Sequence, residues 1–348
     1  MTADSEPSFG LCLLRAVGIT VISSIYATRT AGQLFCGWTQ NIGHFFFTKR
    51  RDKKPRVLED GWNHRYIQLS KIKMHYVEKN DSSKPLMLFV HGFPEFWYCW
   101  RYQLKHFGEK DYHVVAVDLR GYGDSTKLKG YKNYDLSQVA SDLIELIQRL
   151  GHSKVILCGH DWGGATSYRL AMIRPDLIEK MIVLNIYHPA VFAQLLKTPE
   201  QRKKSWYFFM FQIPFVPNLY LSAQDYAYLD RVYRSEEAGI RRKENFTDED
   251  LEAFKFTISR PGAIDAAISY NRAAIRQFRP SPLPKDPIQP KTLMIFGEED
   301  AALSVSGARK SLEFCRDAEL RTIPGASHWV QQDRPDLVNS YIEEFLST

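Results

Sequence analysis

The sequence has 348 residues, of which 44% are hydrophobic, 25% charged and 13% aromatic. These fractions are typical of a folded globular protein and exclude a disordered tail, a collagen, a disulfide-stapled miniprotein and a multi-pass membrane protein. The 46 basic and 40 acidic side chains give a formal net charge of +6. Residues 1–54 hold 7 of the basic and 3 of the acidic side chains, so the remainder is nearly balanced and gives no sign of nucleic-acid binding.

The first apolar stretch, Phe9–Tyr26, has the length of a short transmembrane helix, although Arg15 interrupts it. No Lys or Arg precedes it, as the start of a secretory signal peptide would require, so we interpret it as an uncleaved membrane anchor. The alternative is that residues 9–47 form an amphipathic element that packs on the rest of the chain.

A basic segment follows the apolar stretch, at Lys49, Arg50, Arg51, Lys53 and Lys54. The positive-inside rule places such a segment, and the chain after it, on the cytosolic side. The five cysteines are odd in number and lack metal-type spacing, which suits a reducing compartment. We therefore predict that residues 1–54 are a membrane anchor and basic linker, and that the endoplasmic reticulum membrane holds the protein with its body in the cytosol.

Beyond Pro55 the chain alternates between short apolar runs and helical patterns, which is typical of a mostly parallel sheet covered by helices on both faces. The fold class is therefore predicted as α/β, with residues 55–188 and 286–348 as the two parts of one core. A hairpin is expected at the start of the core, from Tyr66–Leu69 and Lys73–Val77. The buried strands are predicted at residues 85–90, 113–117, 155–158, 181–184, 292–296 and 320–323, and the helices at 136–150, 165–173 and 336–346.

The alternation stops between residues 189 and 285, which is too long for a loop inside a domain. The segment is aromatic at Trp206–Gln212 and helical in character at Thr247–Phe256, where Thr247 and Asp250 form a plausible capping pair. We predict an inserted helical lid over the carboxyl ends of the strands, where open α/β sheets bind ligands.

The strand at residues 155–158 runs directly into Gly-His-Asp-Trp-Gly-Gly and then into a helix. A strand, a sharp glycine-bearing turn and a helix are the context of the nucleophile elbow, which lifts its central side chain to the top of the sheet. Here that central residue is Asp161. The alternative is that Asp161 only caps the helix that follows.

Two later strands are also followed by polar residues: Asp300 lies after the strand at 292–296, and His328 after the strand at 320–323. Nucleophile, acid and histidine occur in this chain order in the triads of the α/β-hydrolase fold. Asp161, Asp300 and His328 are therefore candidates for nucleophile, orienting acid and general base.

The loop after the strand at 85–90 is the fourth candidate part of the site. In this fold that loop supplies one oxyanion-hole N–H group, here from Phe93, and the residue after the nucleophile, Trp162, supplies the other. Pro94 is expected to take the cis form in this tight loop, and His91 and Pro94 are expected to line the site.

In the order of the motifs, the chain resembles the α/β-hydrolase-fold epoxide hydrolases, and most of all the membrane-anchored epoxide hydrolase 3 and 4 group. The resemblance covers residues 60 to 348. The residues that carry it are HGFPEFWYCWRYQ (91–103), DLRGYGDS (118–125), GHDWGG (159–164), GEED (297–300) and SHWVQQDRPD (327–336).

The resemblance implies hydrolysis of lipophilic epoxides, such as epoxy fatty acids, to vicinal diols through an ester on Asp161. It implies two lid tyrosines, Tyr207 and Tyr270, as proton donors to the epoxide oxygen, and it implies no metal or organic cofactor. Two alternatives remain from the residues: a haloalkane dehalogenase with the same aspartate nucleophile, or a catalytically silent binding protein that keeps the fold.

Overall fold

An eight-stranded sheet forms the centre of the part of the chain that the structure, a computed structural model, describes: residues 20–26, 28–30, 32, 47–277 and 286–348. The strand order is β1-β2-β4-β3-β5-β6-β7-β8; β1 and β2 form an antiparallel hairpin, β2 is antiparallel to β4, and all other neighbours are parallel. The strands are β1 (Asn63–Gln68), β2 (Lys73–Lys79), β3 (Leu86–Val90), β4 (His113–Val117), β5 (Val155–His160), β6 (Ile178–Leu184), β7 (Lys291–Gly297) and β8 (Ala318–Ile323).

The central strands are continuously apolar because both faces of the sheet are covered. Met87 and Phe89 of β3 pack into one core, while Leu88 and Val90 pack into the other. Successive side chains of a strand point to opposite faces of the sheet. Because both faces are buried here, an apolar side chain is stabilised by the hydrophobic effect at every position. The predicted fold class is confirmed: this is an α/β-hydrolase fold with a mostly parallel sheet between helices.

The helices of the core flank the sheet in two layers. Helices α1 and α12 contribute to the first core, and α2 and α3 to the second. The core helices are α1 (Arg101–Phe107), α2 (Leu136–Arg149), α3 (Trp162–Ile173), α10 (Val305–Ser311), α11 (Val330–Asp333) and α12 (Pro335–Leu346).

Between β6 and β7 the chain forms six helices before residue 277, in the segment predicted as a lid. They are α4 (Pro189–Leu195), α5 (Pro199–Lys204), α6 (Trp206–Met210), α7 (Val216–Arg234), α8 (Asp248–Ile258) and α9 (Ala263–Arg276). The expected capping pair is present, since Thr247 and Asp250 form a reciprocal capping box at the start of α8. Helix α7 is kinked at Ala223–Tyr226, where the last three residues have positive φ angles.

The chain before the core packs on the lid. The described residues between 20 and 32 are helical, and the Tyr26 ring stacks on that of Phe209 with a centroid distance of 6.1 Å. Arg51, whose side chain is 4% exposed, forms a two-pronged ion pair with Asp225 at the kink of α7 and also contacts Glu252 on α8. Residues 47–54 therefore tie the N-terminal segment to two lid helices.

Most of the predicted anchor Phe9–Tyr26 lies outside the described residues, which include only 20–26 of it. In the parts of the chain that the structure does describe, no helix combines the length and the hydropathy needed to span a bilayer.

Candidate active site

Asp161 lies at the sharp turn between β5 and α3, with φ 50° and ψ −118°. This backbone region is strained for a residue with a side chain and is a mark of functional turns. The turn is close to its neighbours: a Cβ on Gly163 would overlap the carbonyl oxygen of Val90, and one on Gly92 would overlap Asp161 itself. The alternative reading as a helix cap is wrong, because the Asp161 side chain makes no capping hydrogen bond to α3.

The two carboxylate oxygens of Asp161 have different surroundings. Oδ1 accepts a hydrogen bond of 2.9 Å from the backbone N–H of Phe93. Oδ2 lies 3.9 Å from Nε2 of His328, and the Asp161 side chain keeps 17% of its exposure. One oxygen is therefore held by the loop after β3, while the other faces the histidine.

His328 is held in place by Asp300, whose Oδ2 lies 2.7 Å from Nδ1 of the imidazole. Asp300 also accepts hydrogen bonds from the backbone N–H groups of Ala302 and Leu303, at 2.7 and 2.9 Å, and from Nδ2 of Asn185 at 2.7 Å. The structure therefore brings the three predicted triad residues together. Asn185 was missed by the sequence reasoning, because nothing in the residues after β6 indicates that its side chain reaches the loop after β7.

The charges of the triad act on one another. Burial lowers the pKa of His328, but the negative charges of Asp300 and Asp161 outweigh it and raise the pKa to about 9. Burial raises the pKa of Asp300, but the charge of His328 and its hydrogen bond outweigh it and hold the pKa below its ordinary value. The free site is therefore an imidazolium between two carboxylates at neutral pH.

A second buried carboxylate, Glu95, supports the site from behind. Its Oε2 lies 2.6 Å from Nδ1 of His160, and Nε2 of the same ring lies 2.9 Å from the carbonyl oxygen of His328. The side chains of Gln331 and Gln332 donate to Oε1 of Glu95. Glu95 therefore links the loop after β3, the nucleophile turn and the histidine loop; its position in the sequence motif was known, but not these partners.

His91 and Pro94 are the two residues of the loop after β3 that were predicted to line the site. Nε2 of His91 accepts from the backbone N–H of Leu119 at 3.1 Å, and Nδ1 lies 2.9 Å from the carbonyl oxygen of Gly92. Both ring nitrogens of His91 therefore hold loops, and burial lowers its pKa. The Phe93–Pro94 bond is cis, as expected, and Pro94 lines a small cavity together with Tyr122.

Trp162 is the first residue of α3, so its backbone N–H is one of the groups at a helix N-terminus that have no intrahelical acceptor. Its indole ring packs 5.7 Å from Phe208 of the lid. The position beside Asp161 is the one that the oxyanion-hole prediction requires, and that role stays a prediction.

Tyr207 and Tyr228 are two lid residues whose hydroxyl groups lie close enough to the nucleophile for the charge of Asp161 to raise their pKa values. Neither hydroxyl has a hydrogen-bond partner among the described residues. Burial raises the pKa of Tyr207 well above its ordinary value, and the charge of Asp161 raises it further. Tyr228 was not predicted: it packs 6.4 Å from the ring of Phe93, and one tyrosine among 18 carries no sequence signal of such a position.

Tyr270 is placed differently from Tyr207. Its ring lies 6.0 Å from that of Trp162, but its O–H donates a 2.9 Å hydrogen bond to the backbone carbonyl oxygen of Arg120. A phenol has a single proton to donate. The role of Tyr270 as a proton donor stays a prediction, and this hydrogen bond does not favour it.

Across the described residues, no group of three or more His, Cys, Asp or Glu side chains is arranged to hold a metal ion.

Comparisons with known proteins agree with this geometry. A family model described as the alpha/beta hydrolase fold matches residues 85–335. Epoxide hydrolase 2 of Caenorhabditis elegans is 38% identical over 338 residues, which cover 96% of this chain and 94% of the relative. Epoxide hydrolase 4 of Homo sapiens is 40% identical over 303 residues, which cover 85% of this chain and 83% of the relative.

Solved structures show the same relationship. A mutant of an epoxide hydrolase from Bacillus megaterium superimposes with a TM-score of 0.74 at 28% identity, covering 82% of this chain and 100% of the bacterial one. The family expected from the sequence motifs is confirmed: the chain belongs to the α/β-hydrolase-fold epoxide hydrolases.

Proposed function

We propose that this chain hydrolyses lipophilic epoxides to vicinal diols through a covalent ester on Asp161. The main support for the proposal is that the two carboxylate oxygens of Asp161 have different neighbours. Phe93 N–H holds Oδ1 of Asp161, while Oδ2 faces His328 at 3.9 Å. An ionised carboxylate held at one oxygen is an oriented nucleophile at the other.

In the first half of the reaction, Oδ2 of Asp161 attacks a ring carbon of the epoxide and the carbon–oxygen bond of the ring breaks. The leaving oxygen would be an alkoxide, about as basic as hydroxide, whose parent water has a pKa of ~15.7. A phenol, with an ordinary pKa of about 10, can give that oxygen a proton. We assign this donation to Tyr207, whose hydroxyl has no other partner in the described structure.

Ester formation changes the electrostatics of the site. The negative charge of Asp161 disappears, and that charge is one of the causes that keep the pKa of His328 high. The pKa of His328 therefore falls when the ester forms, and the imidazolium can pass its proton to the phenolate that Tyr207 became in the first step, which leaves a neutral imidazole. The first step thus prepares the base that the second step needs.

In the second half, neutral His328 takes a proton from a water molecule, and the hydroxide so formed adds to the carbonyl carbon of the Asp161 ester. The carbonyl oxygen becomes an oxyanion, which the N–H groups of Phe93 and Trp162 stabilise. Collapse of this intermediate breaks its bond to the diol oxygen, which takes up the proton of the newly formed Asp161 carboxyl group. The site is then restored, with His328 as the imidazolium and Asp161 as the carboxylate. Asp300 stabilises the imidazolium throughout.

The aromatic residues near the nucleophile support our proposal of an apolar substrate. The rings of Phe93 and Phe211, and those of Phe211 and Tyr207, pack at centroid distances of 5.5 and 5.8 Å. An aromatic lining of this kind favours an apolar substrate, and epoxy fatty acids are the substrates that we propose.

We also propose that the segment 1–54 attaches the protein to the endoplasmic reticulum membrane with its body in the cytosol. The apolar run Phe9–Tyr26 and the basic segment after it support this proposal. Val21 and Ile25 are 53% and 63% exposed, so their apolar side chains are available to lipid.

The experiment uses the full chain with His328→Gln, which stalls ester hydrolysis, and intact-mass measurement after exposure to lipophilic epoxides or haloalkanes. A mass gain equal to the whole epoxide, mapped to Asp161, is expected. A gain of an alkyl group without its halogen would identify a dehalogenase instead, and the absence of any adduct across the panel would contradict the proposal.

A further inference from the structure

Asn271, on lid helix α9, is a buried polar side chain that the sequence reasoning did not single out. Its exposure is 0%, and neither Oδ1 nor Nδ2 has a hydrogen-bond partner among the described residues. Burying an unpaired amide destabilises a fold. Such a group therefore calls for an explanation, and a functional role is one of those known.

The neighbour of Asn271 on the helix cannot easily serve the same purpose. The Tyr270 hydroxyl donates to the carbonyl oxygen of Arg120 at 2.9 Å, so its proton is already used. Tyr270 and Asn271 are one residue apart on a helix and therefore point about 100° apart. The two side chains sample different parts of the interior.

The neighbours of Asn271 on α9 lie close to the candidate site: the ring of Tyr270 is 6.0 Å from that of Trp162. Ala267, one turn earlier on the same face, lines a small cavity with Pro94 and Tyr122. The Gln212 side chain donates to the backbone oxygen of Asn271, and Gln212 closely follows α6, the helix that carries Tyr207. The stretch of α9 that carries Asn271 therefore lies close to both the loop after β3 and the residues that follow α6.

We infer that Nδ2 of Asn271 donates a second hydrogen bond to the epoxide oxygen, alongside the Tyr207 hydroxyl; this inference rests on the function proposed above. A carboxamide donates a hydrogen bond but keeps its proton at neutral pH. Tyr207 is therefore the group that transfers a proton, and Asn271 binds and orients the oxygen. The donor pair of this site is a phenol and an amide.

For Asn271→Leu we expect opposite effects on stability and on rate. The leucine side chain has nearly the same shape as that of asparagine. The substitution removes an unpaired buried amide, so the free energy of unfolding should stay the same or rise. It also removes a donor to the developing alkoxide, so ester formation should slow by roughly 10- to 100-fold. An amide with a structural role would change in the opposite way, with lower stability.

The test measures ester formation in the full chain carrying His328→Gln, by quenched intact mass with a lipophilic epoxide, together with thermal unfolding. Asn271→Leu is compared with Asn218→Leu, the same substitution at a partly exposed lid position whose amide donates to Asp265. Asn271→Ala serves as a second variant, because it removes the same donor without adding bulk; slower ester formation is expected in both Asn271 variants.

The outcomes separate this inference from the function on which it rests. Ester formation at the parent rate in Asn271→Leu and Asn271→Ala would overturn the inference alone. A fall in stability that accompanies the slower rate in both variants would also overturn it, because the amide would then be structural. No adduct in the His328→Gln parent would overturn the proposed function itself.

Discussion

Oδ2 of Asp161 lies 3.9 Å from Nε2 of His328, while the other nitrogen of the same imidazole lies 2.7 Å from Asp300. The negative charges of both carboxylates therefore raise the pKa of His328. Only Asp161 loses its charge in the proposed reaction, when it becomes an ester. The protonation of His328 is coupled to the covalent state of Asp161, and this coupling orders the two half-reactions.

The stability of the fold should depend on pH through His328. Its pKa is about 9 in the folded chain, against an ordinary value of 6.5. Because the folded-state pKa is the higher one, the stabilisation is fully present below pH 6.5 and is lost as the pH rises through about 9. The melting temperature of the parent minus that of His328→Gln should therefore fall over this window; a constant difference would contradict the assignment.

Asp161→Asn should lower the pKa of His328, because it removes one of the two negative charges that raise it. The amide of the variant is uncharged, as is the Asp161 ester of the proposed intermediate. The pH window described above should therefore move to lower pH in Asp161→Asn, and turnover of epoxide should fall by at least about 10⁴-fold. Histidine NMR titration measures the first effect, and an unchanged titration would show that Asp161 does not act on His328.

Asp300→Asn should impair ester hydrolysis more than ester formation, since the orientation and charge of His328 matter most in the second step. A loss of about 10⁴-fold in the hydrolysis rate is expected by analogy with Ser-His-Asp triads, in which the acid orients the histidine in the same way. Asn185→Ala, which removes one hydrogen bond to Asp300, should give a smaller loss in the same step. Single-turnover kinetics separate the steps, and an equal loss in both would refute the role of Asp300.

Tyr207→Phe should slow ester formation by about 10²-fold or more, because it removes the proton for the leaving oxygen. Tyr270→Phe should slow it less and should cost about 1 kcal/mol of stability, because it removes the hydrogen bond to Arg120. Rapid-quench measurement of the ester and thermal unfolding of both variants check this. A larger effect of Tyr270→Phe on ester formation would restore Tyr270 as the main donor.

Arg51→Met should destabilise the lid by about 1–3 kcal/mol, because it leaves the partly buried Asp225 without its cation. Arg50→Met is the matched control, since Arg50 is exposed and its ion pair among the described residues is with Asp52 at the surface. Limited proteolysis of lid helices α7 and α8 should become faster only in Arg51→Met. Equal protection of the two variants would show that residues 47–54 do not hold the lid.

The fold and the triad could be predicted because both follow from local patterns. Short runs of four to six mostly apolar residues predict the parallel strands, and Asp161, Asp300 and His328 each follow such a strand within a short loop. Parallel strands bring the ends of these loops to one edge of the sheet, so chain order was sufficient.

The rest of the site depends on where side chains point after the lid has folded. The hydroxyl of Tyr270 is used by the backbone of Arg120, and the amide of Asn271 is left unpaired. Both residues lie on helix α9 of the lid, and the apolar pattern of that helix cannot tell which side chain has a free donor. Likewise, the contact of Arg51 with Asp225 joins positions 174 residues apart, which no local pattern indicates.

The most direct test of the ester is a single turnover of excess enzyme with a lipophilic epoxide in water enriched in ¹⁸O. If Asp161 opens the ring, the diol from the first turnover contains no ¹⁸O, and one labelled oxygen appears in the carboxylate of Asp161. If water attacks the epoxide directly, the label appears in the diol and Asp161 stays unlabelled, which would contradict the proposed mechanism.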